Sequence, residues 1–224
     1  MILGKKTAKK MKKETVVVFS AHSDDFVIGA GGTIANYTKE GKKVIVIVMS
    51  YGEKSHIWLK KSIVQKMRSA ETMEACKLLK CKALFFDLRE GNFPEDYAAT
   101  KREQQFLDLI HSLKPVKIFT HSSEDPHPDH RATHAITLDL YEKLSYRPEV
   151  YIYSVWNPFS FKTIYPALYS NISTTLRLKL QALRTFRSQK IHLAYPLLLL
   201  LLRAVRDGFK MRGARFAEKF FRIK

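Results

Sequence analysis

Only two cysteines occur in the 224 residues, Cys76 and Cys81, and their spacing is not Cys-x-x-Cys. Two thiols build no disulfide framework, so reduced cysteines in a cytosolic compartment are expected. Long apolar runs are also missing. A bilayer-spanning helix needs about 20 apolar residues; the longest apolar stretch here, residues 191–202, is shorter and holds His192 and Pro196. The lysine-rich start is followed by no apolar segment, which argues against a secretory leader. None of the nine glycines forms a Gly-x-Gly-x-x-Gly pattern. Gly29, Gly31 and Gly32 fall well past the place where a phosphate loop lies, and read as a close helix–sheet contact rather than a dinucleotide site. Acidic residues are scarce: 21 Asp and Glu face 39 Lys and Arg, for a formal charge of +18. That excess attracts nucleic acid, anionic lipid or acidic ligands and is silent about fold. It gathers at the ends, with six lysines between Lys5 and Lys13, and eight Lys or Arg against Asp207 and Glu218 over residues 203–224. No stacking or groove-reading motif accompanies the charge, so nucleic acid is not an expected partner.

What is present is an alternation. Residues 15–20, 43–49, 83–87, 116–120 and 149–154 are apolar runs of the kind buried parallel strands show. Between them, residues 25–40, 58–80, 97–113 and 128–145 have helical spacing. Strands alternating with helices of this length make right-handed βαβ units. The expected fold is α/β, a Rossmann-like three-layer arrangement with a mostly parallel sheet and a helical C-terminal extension. Residues 1–14 read as a basic arm, 15–190 as the one α/β domain and 191–224 as a basic amphipathic helical extension. Residues 156–170, rich in aromatics and holding Pro158 and Pro166, read as a loop beside the site, and 173–190 as helix.

Two stretches are dense in chemistry. The run Val16-Val17-Val18-Phe19 ends in Ser20-Ala21-His22-Ser23-Asp24-Asp25, and the comparable stretch is Asp125-Pro126-His127-Pro128-Asp129-His130. The first follows the first strand and the second follows the fourth. In parallel α/β sheets ligands lie beyond the carboxyl ends of the strands, so the fold alone brings the two to one edge. Histidine with carboxylate suits zinc or a similar divalent ion, and three protein ligands with one open position make a catalytic site. His22 and Asp25 can point one way from a helical turn, and His127, His130 and His134 can share a helix face. Spacing leaves open which of these bind. Asp24 or Asp25 can instead cap the first helix, and His134 can be a satisfied histidine.

Ala21-His22-Ser23-Asp24-Asp25 resembles the Ala-His-Pro-Asp-Asp signature of the LmbE-like, or PIG-L, family of zinc-dependent de-N-acetylases. His127-Pro128-Asp129-His130 is similar to its second signature without change. Gly29 to Thr33, Arg68-Ser69-Ala70-Glu71, and Lys179, Ala182, Leu183, Ser188 and Gln189 resemble further segments, so the likeness runs from Val16 to Gln189. The resemblance implies His22, Asp25 and His130 as ligands of zinc or another divalent transition metal. It implies Asp24 as general base on the activated water and His127 as the group that stabilises the oxyanion or protonates the leaving amine. Asp129 would orient a histidine from behind. Arg68 would bind an anionic part of the substrate, or else pair with Glu71 on its own helix. The implied activity is hydrolytic removal of the N-acetyl group from an N-acetylglucosamine-type sugar conjugate. Ser23 and Phe26 depart from the pattern, where the family has proline and an acidic residue.

Leu198, Leu202, Val205, Phe209, Phe216 and Phe220 fall near one helical stripe with Arg203, Arg206 and Lys210 off it. Such a helix reads as contact with an anionic membrane surface, or as packing on the domain or on a neighbouring subunit of a homo-oligomer. A cytoplasmic protein, peripheral at the membrane, follows from the first reading. The rival to the enzyme is a weakly active or inactive family member that serves as a membrane-surface or partner-binding module.

Overall fold

The computed structural model describes residues 13–56, 58–99, 101–157 and 164–224, and over 190–196 the backbone only. The basic arm expected over residues 1–14 lies outside these, but for Lys13 and Glu14.

Thr15–Ser20 (β1) is buried from end to end, as an unbroken apolar run implies for a central parallel strand. Asp25–Lys39 (α1) leads to Lys43–Val48 (β2), which pairs with β1 in parallel. Lys61–Leu79 (α2) and Lys82–Phe85 (β3) extend the sheet outward. Two helices, Phe93–Ala98 (α3) and Arg102–Leu113 (α4), stand where one was expected. Lys101 between them has φ 79°, a left-handed conformation that a continuous helix does not admit. Lys117–His121 (β4), Pro128–Glu142 (α5) and Glu149–Tyr153 (β5) complete the parallel part. Ala167–Asn171 (β6), Leu176–Leu183 (α6), Lys190–Gly208 (α7) and Ala217–Arg222 (β7) follow.

The sheet order is β3-β2-β1-β4-β5-β7-β6. Chain direction along the order reverses between β1 and β4, which are direct neighbours with Val17 opposite Ile118. That switch point opens a crevice past the strand ends, where open α/β sheets bind ligands. Successive residues of β1 serve opposite faces. Val16 and Val18 pack with α1, α2, α6 and α7, while Val17 and Phe19 pack with α3, α4 and α5. The result is the expected three-layer α/β fold.

Two expectations over the last third are corrected. Residues 167–170 of the expected loop belong to the edge strand β6, Ala167–Asn171, while 158–163 lie outside the described residues. The helical extension stops at Gly208, and residues 217–222 are the strand β7, inserted between β5 and β6 and antiparallel to both. A spacing of four satisfies both a helical face and strand alternation, which is why Phe216 and Phe220 read as helix. Phe220 instead packs edge-on to Phe119, centroids 5.0 Å apart. Glu218 on β7 is buried and accepts hydrogen bonds from the Gly32 N–H (3.0 Å), the Thr33 N–H (2.8 Å) and Lys179 Nζ (2.5 Å). The buried Lys179 also donates to the Ile28 carbonyl, so this pair ties β7 and α6 to α1.

The glycines of α1 are contacts. A Cβ on Gly29 would lie 2.1 Å from the Tyr153 ring. Gly29→Val should therefore destabilise by roughly 1–3 kcal/mol through overpacking. Urea unfolding checks this, and a wild-type midpoint would contradict the contact.

Candidate metal centre

The chain leaving β1 turns tightly because its polar groups brace one another. Ser20 Oγ donates to the His22 carbonyl (2.6 Å) and accepts from the Phe26 N–H (3.1 Å). The His22 N–H donates to Asp25 Oδ2 at 2.8 Å. Asp24 occupies the N-cap position of α1, yet its side chain makes no cap hydrogen bond. Asp24 and Asp25 are both buried. At the other strand end, His127 caps α5: its Nδ1 accepts from the Asp129 N–H at 3.2 Å. Pro128 opens the helix, where its missing N–H costs nothing, and His130 faces inward.

These elements converge on Asp25. Its Oδ2 lies 3.4 Å from His22 Nδ1 and 3.3 Å from His130 Nε2. Behind each imidazole stands another carboxylate: His22 Nε2 is 3.1 Å from Asp129 Oδ2, and His130 Nδ1 is 3.0 Å from Asp125 Oδ1. A histidine with one nitrogen inward and the other on a carboxylate is the usual arrangement around a bound metal. Neither ring nitrogen of the buried His130 makes a hydrogen bond among the described residues, and Nε2 is the one that faces Asp25. His22, Asp25 and His130 form one group of ligand atoms within 4.8 Å of one another. Two other groups overlap it: His22 with Glu90, His127 and Asp129, and His121 with Asp125 and His130. In the second of these His121 Nε2 accepts from the Ala21 N–H at 2.9 Å and lies 3.0 Å from Tyr153 Oη, while its buried Nδ1 makes no hydrogen bond among the described residues.

The other expected residues surround this group. Arg68 is buried on α2, and its Nη2 donates to Asp24 Oδ1 at 3.1 Å while Nε donates to the Tyr51 carbonyl at 2.9 Å. It does not pair with Glu71, whose carboxylate takes the N–H and hydroxyl of Ser188. His22, Asp24, Asp25, Arg68, His127 and Trp156 line one cleft. His134 stands apart, with Nδ1 2.9 Å from the His121 carbonyl oxygen. Phe26 lies wholly within the apolar core and Ser23 Oγ donates to the Tyr51 carbonyl, so neither departure enters the group. Asp125, which opens the second dense stretch, and His121 are neighbours of the group; residue type alone does not single out His121, whose signal is position, at the end of the β4 apolar run.

Burial opposes charge on His22, but Asp129 and Asp25 outweigh it and push the ring up to about 10. His130 rises to about 9 by the same contest, with the Asp25 charge first among the raising causes. Burial also disfavours the charged form of Asp25, yet His130 and His22 hold it well below the usual carboxylate range. His127 goes the other way, down to about 4, through burial and the positive rings of His22 and His130.

Residues 17–141 match the PIG-L family, described as GlcNAc-PI de-N-acetylase. The chain belongs to the PIG-L family. The names of its relatives divide between two chemistries. It is 31% identical over 122 residues to the 4-oxalmesaconate hydratase of Pseudomonas putida, covering 51% of this chain and 46% of that one. It is 27% identical over 195 residues to a probable N-acetyl-alpha-D-glucosaminyl L-malate deacetylase of Bacillus cereus, covering 80% of this chain and 84% of that one. Among solved PIG-L-like folds, the N,N'-diacetylchitobiose deacetylase of Pyrococcus horikoshii superposes with TM-score 0.79 at 23% identity, over 94% of this chain and 84% of that one.

The two raised histidines make a prediction. Without metal, their pairing with carboxylates is fully present below pH 6.5 and is lost as pH rises through about 9 to 10. A cation takes the deprotonated rings, so its uptake expels protons and its affinity climbs with pH. Calorimetric titration with zinc should show proton release at both about pH 6 and about pH 8, and tighter binding at the higher pH. An affinity independent of pH would contradict this set of ligands.

Proposed function

We propose that the protein is a zinc-dependent amide hydrolase that removes the N-acetyl group from an N-acetylglucosamine-type sugar conjugate. The observation that supports it most is the convergence of His22 Nδ1 and His130 Nε2 on Asp25 Oδ2, with His22 and Asp25 lining one cleft together with Asp24. Two nitrogens and a carboxylate oxygen, with an open side toward the cleft, are a donor set that suits catalytic zinc. His22, Asp25 and His130 hold the ion, and Asp129 and Asp125 keep the two rings turned toward it. When bound, zinc lowers the pKa of a water to roughly 7 and polarises the amide carbonyl.

The chain's own groups do the rest. Arg68 engages Asp24 Oδ1, which leaves Oδ2 to take the proton of the attacking water. The same guanidinium fixes the rotamer of the base. Because His127 Nδ1 accepts the Asp129 N–H, a neutral ring carries its proton on Nε2. With its pKa near 4, the ring is neutral at physiological pH and presents Nε2–H as a donor to the carbonyl oxygen. Asp24, once protonated, is the acid within reach of the leaving amine. The buried Arg68 Nη1 makes no hydrogen bond among the described residues and is a donor available to an anionic or hydroxyl-bearing part of the substrate.

The hydratase likeness favours a second reading, addition of water to an unsaturated acid, which uses the same metal and the same base. Acetate release from a panel of N-acetylglucosamine conjugates separates the two. Zinc-loaded protein should release acetate, and Asp24→Asn should lower kcat about 10²–10⁴-fold with metal content kept. No acetate from any conjugate, together with hydration of an unsaturated dicarboxylate, would overturn the deacetylase reading. No turnover of either kind would leave an inactive member of the family.

A further inference from the structure

One face of α7 has no partner among the described residues. Leu200, Ala204 and Asp207 turn to the core, at 3–5% exposure. On the opposite side Leu198, Leu202 and Val205, with Phe209 just past the helix end, are 60%, 61%, 40% and 85% exposed. At 3.6 residues per turn these four fall on one narrow stripe, roughly 17 Å long. Exposed basic residues continue from it: Arg206, Lys210, Arg212 and Arg215. The buried Asp207 offsets Arg206, 2.9 Å from its Nε, and the buried Glu218 is held by Lys179, so neither acid meets Lys210, Arg212 or Arg215.

We propose that this face of α7 seats on an anionic lipid bilayer surface. The apolar stripe enters the interface and the basic residues meet the headgroups. Charge decides among occupants. A second copy would set this basic face against another chain of formal charge +18. A nucleic acid would leave the leucines and Phe209 without apolar cover. No described helix is long and apolar enough to cross a membrane, so α7 lies on the surface. The location has a consequence for the cleft. Arg203 of α7 donates to the Ser154 and Val155 carbonyls at 3.2 and 3.3 Å, beside Trp156, and Gln189, the N-cap residue of α7, also lines the cleft. A seated helix therefore holds the rim of the cleft near the headgroups.

Co-sedimentation of the full chain with vesicles tests this, using phosphatidylcholine alone and phosphatidylcholine with phosphatidylglycerol. Binding should need the anionic lipid and weaken with salt. The pairs Leu202→Glu with Phe209→Glu, and Lys210→Glu with Arg212→Glu, should each lower partitioning at least about tenfold. All four side chains are exposed, so the unfolding midpoint should stay at the wild-type value and show that the fold is intact. Wild-type protein that stays in the supernatant, or variants that partition like wild type, would overturn the proposal. So would a dimer in light scattering that Leu202→Glu with Phe209→Glu dissociates, which would give the stripe to a second copy.

Discussion

A carboxylate taken out of water costs several kcal/mol unless opposite charge and hydrogen bonds compensate it. Asp25 is such a group, at 3% exposure, and its compensation comes from separate parts of the chain. The loop after β1 supplies the His22 N–H and ring, and α5 supplies His130. These meet because β1 and β4 are parallel neighbours at the switch point of the sheet. The hydrophobic pattern of the strands thus places these side chains together, and the buried carboxylate holds them in register. Such a cluster of partly charged groups is expensive in a bare fold, which is the reason to read it as prepared for a cation.

Most of this centre is legible in the residues. Strand-like runs ending in His22-Ser23-Asp24-Asp25 and in a second His/Asp stretch put both at one sheet edge. The alternation of elements is enough to build the parallel part of the sheet. What local pattern cannot carry is the outer layer around the histidines. His121 acts on its partners from across the fold, and nothing in its immediate neighbours distinguishes it from any polar residue after a strand. Arg68 shows the same limit. Its helical spacing to Glu71 suggests a pair, yet the carboxylate that needs compensation is Asp24, and Glu71 is taken by Ser188.

The last third was harder for a different reason. β7 joins the sheet beside β5, and antiparallel insertion by the end of a chain leaves no βαβ alternation to read. Its aromatic spacing fits helix and strand alike. What decides is long-range: a buried Glu218 that needs Lys179 and the α1 N–H groups, and a β5 edge that needs a hydrogen-bonding neighbour. The glycines of α1 acquire their explanation at the same place. They let the helix approach Tyr153 of β5 and Ile172 after β6, as close packing rather than as a cofactor cradle.

The central claim is that the two stretches hold one catalytic metal. Anomalous diffraction from zinc-soaked crystals tests it most directly. The account predicts a single strong peak about 2.0–2.2 Å from His22 Nδ1, a carboxylate oxygen of Asp25 and His130 Nε2, on the cleft side beside Asp24. A peak centred instead on Glu90 and His127, or on His121 and Asp125, or none at these groups, would contradict it.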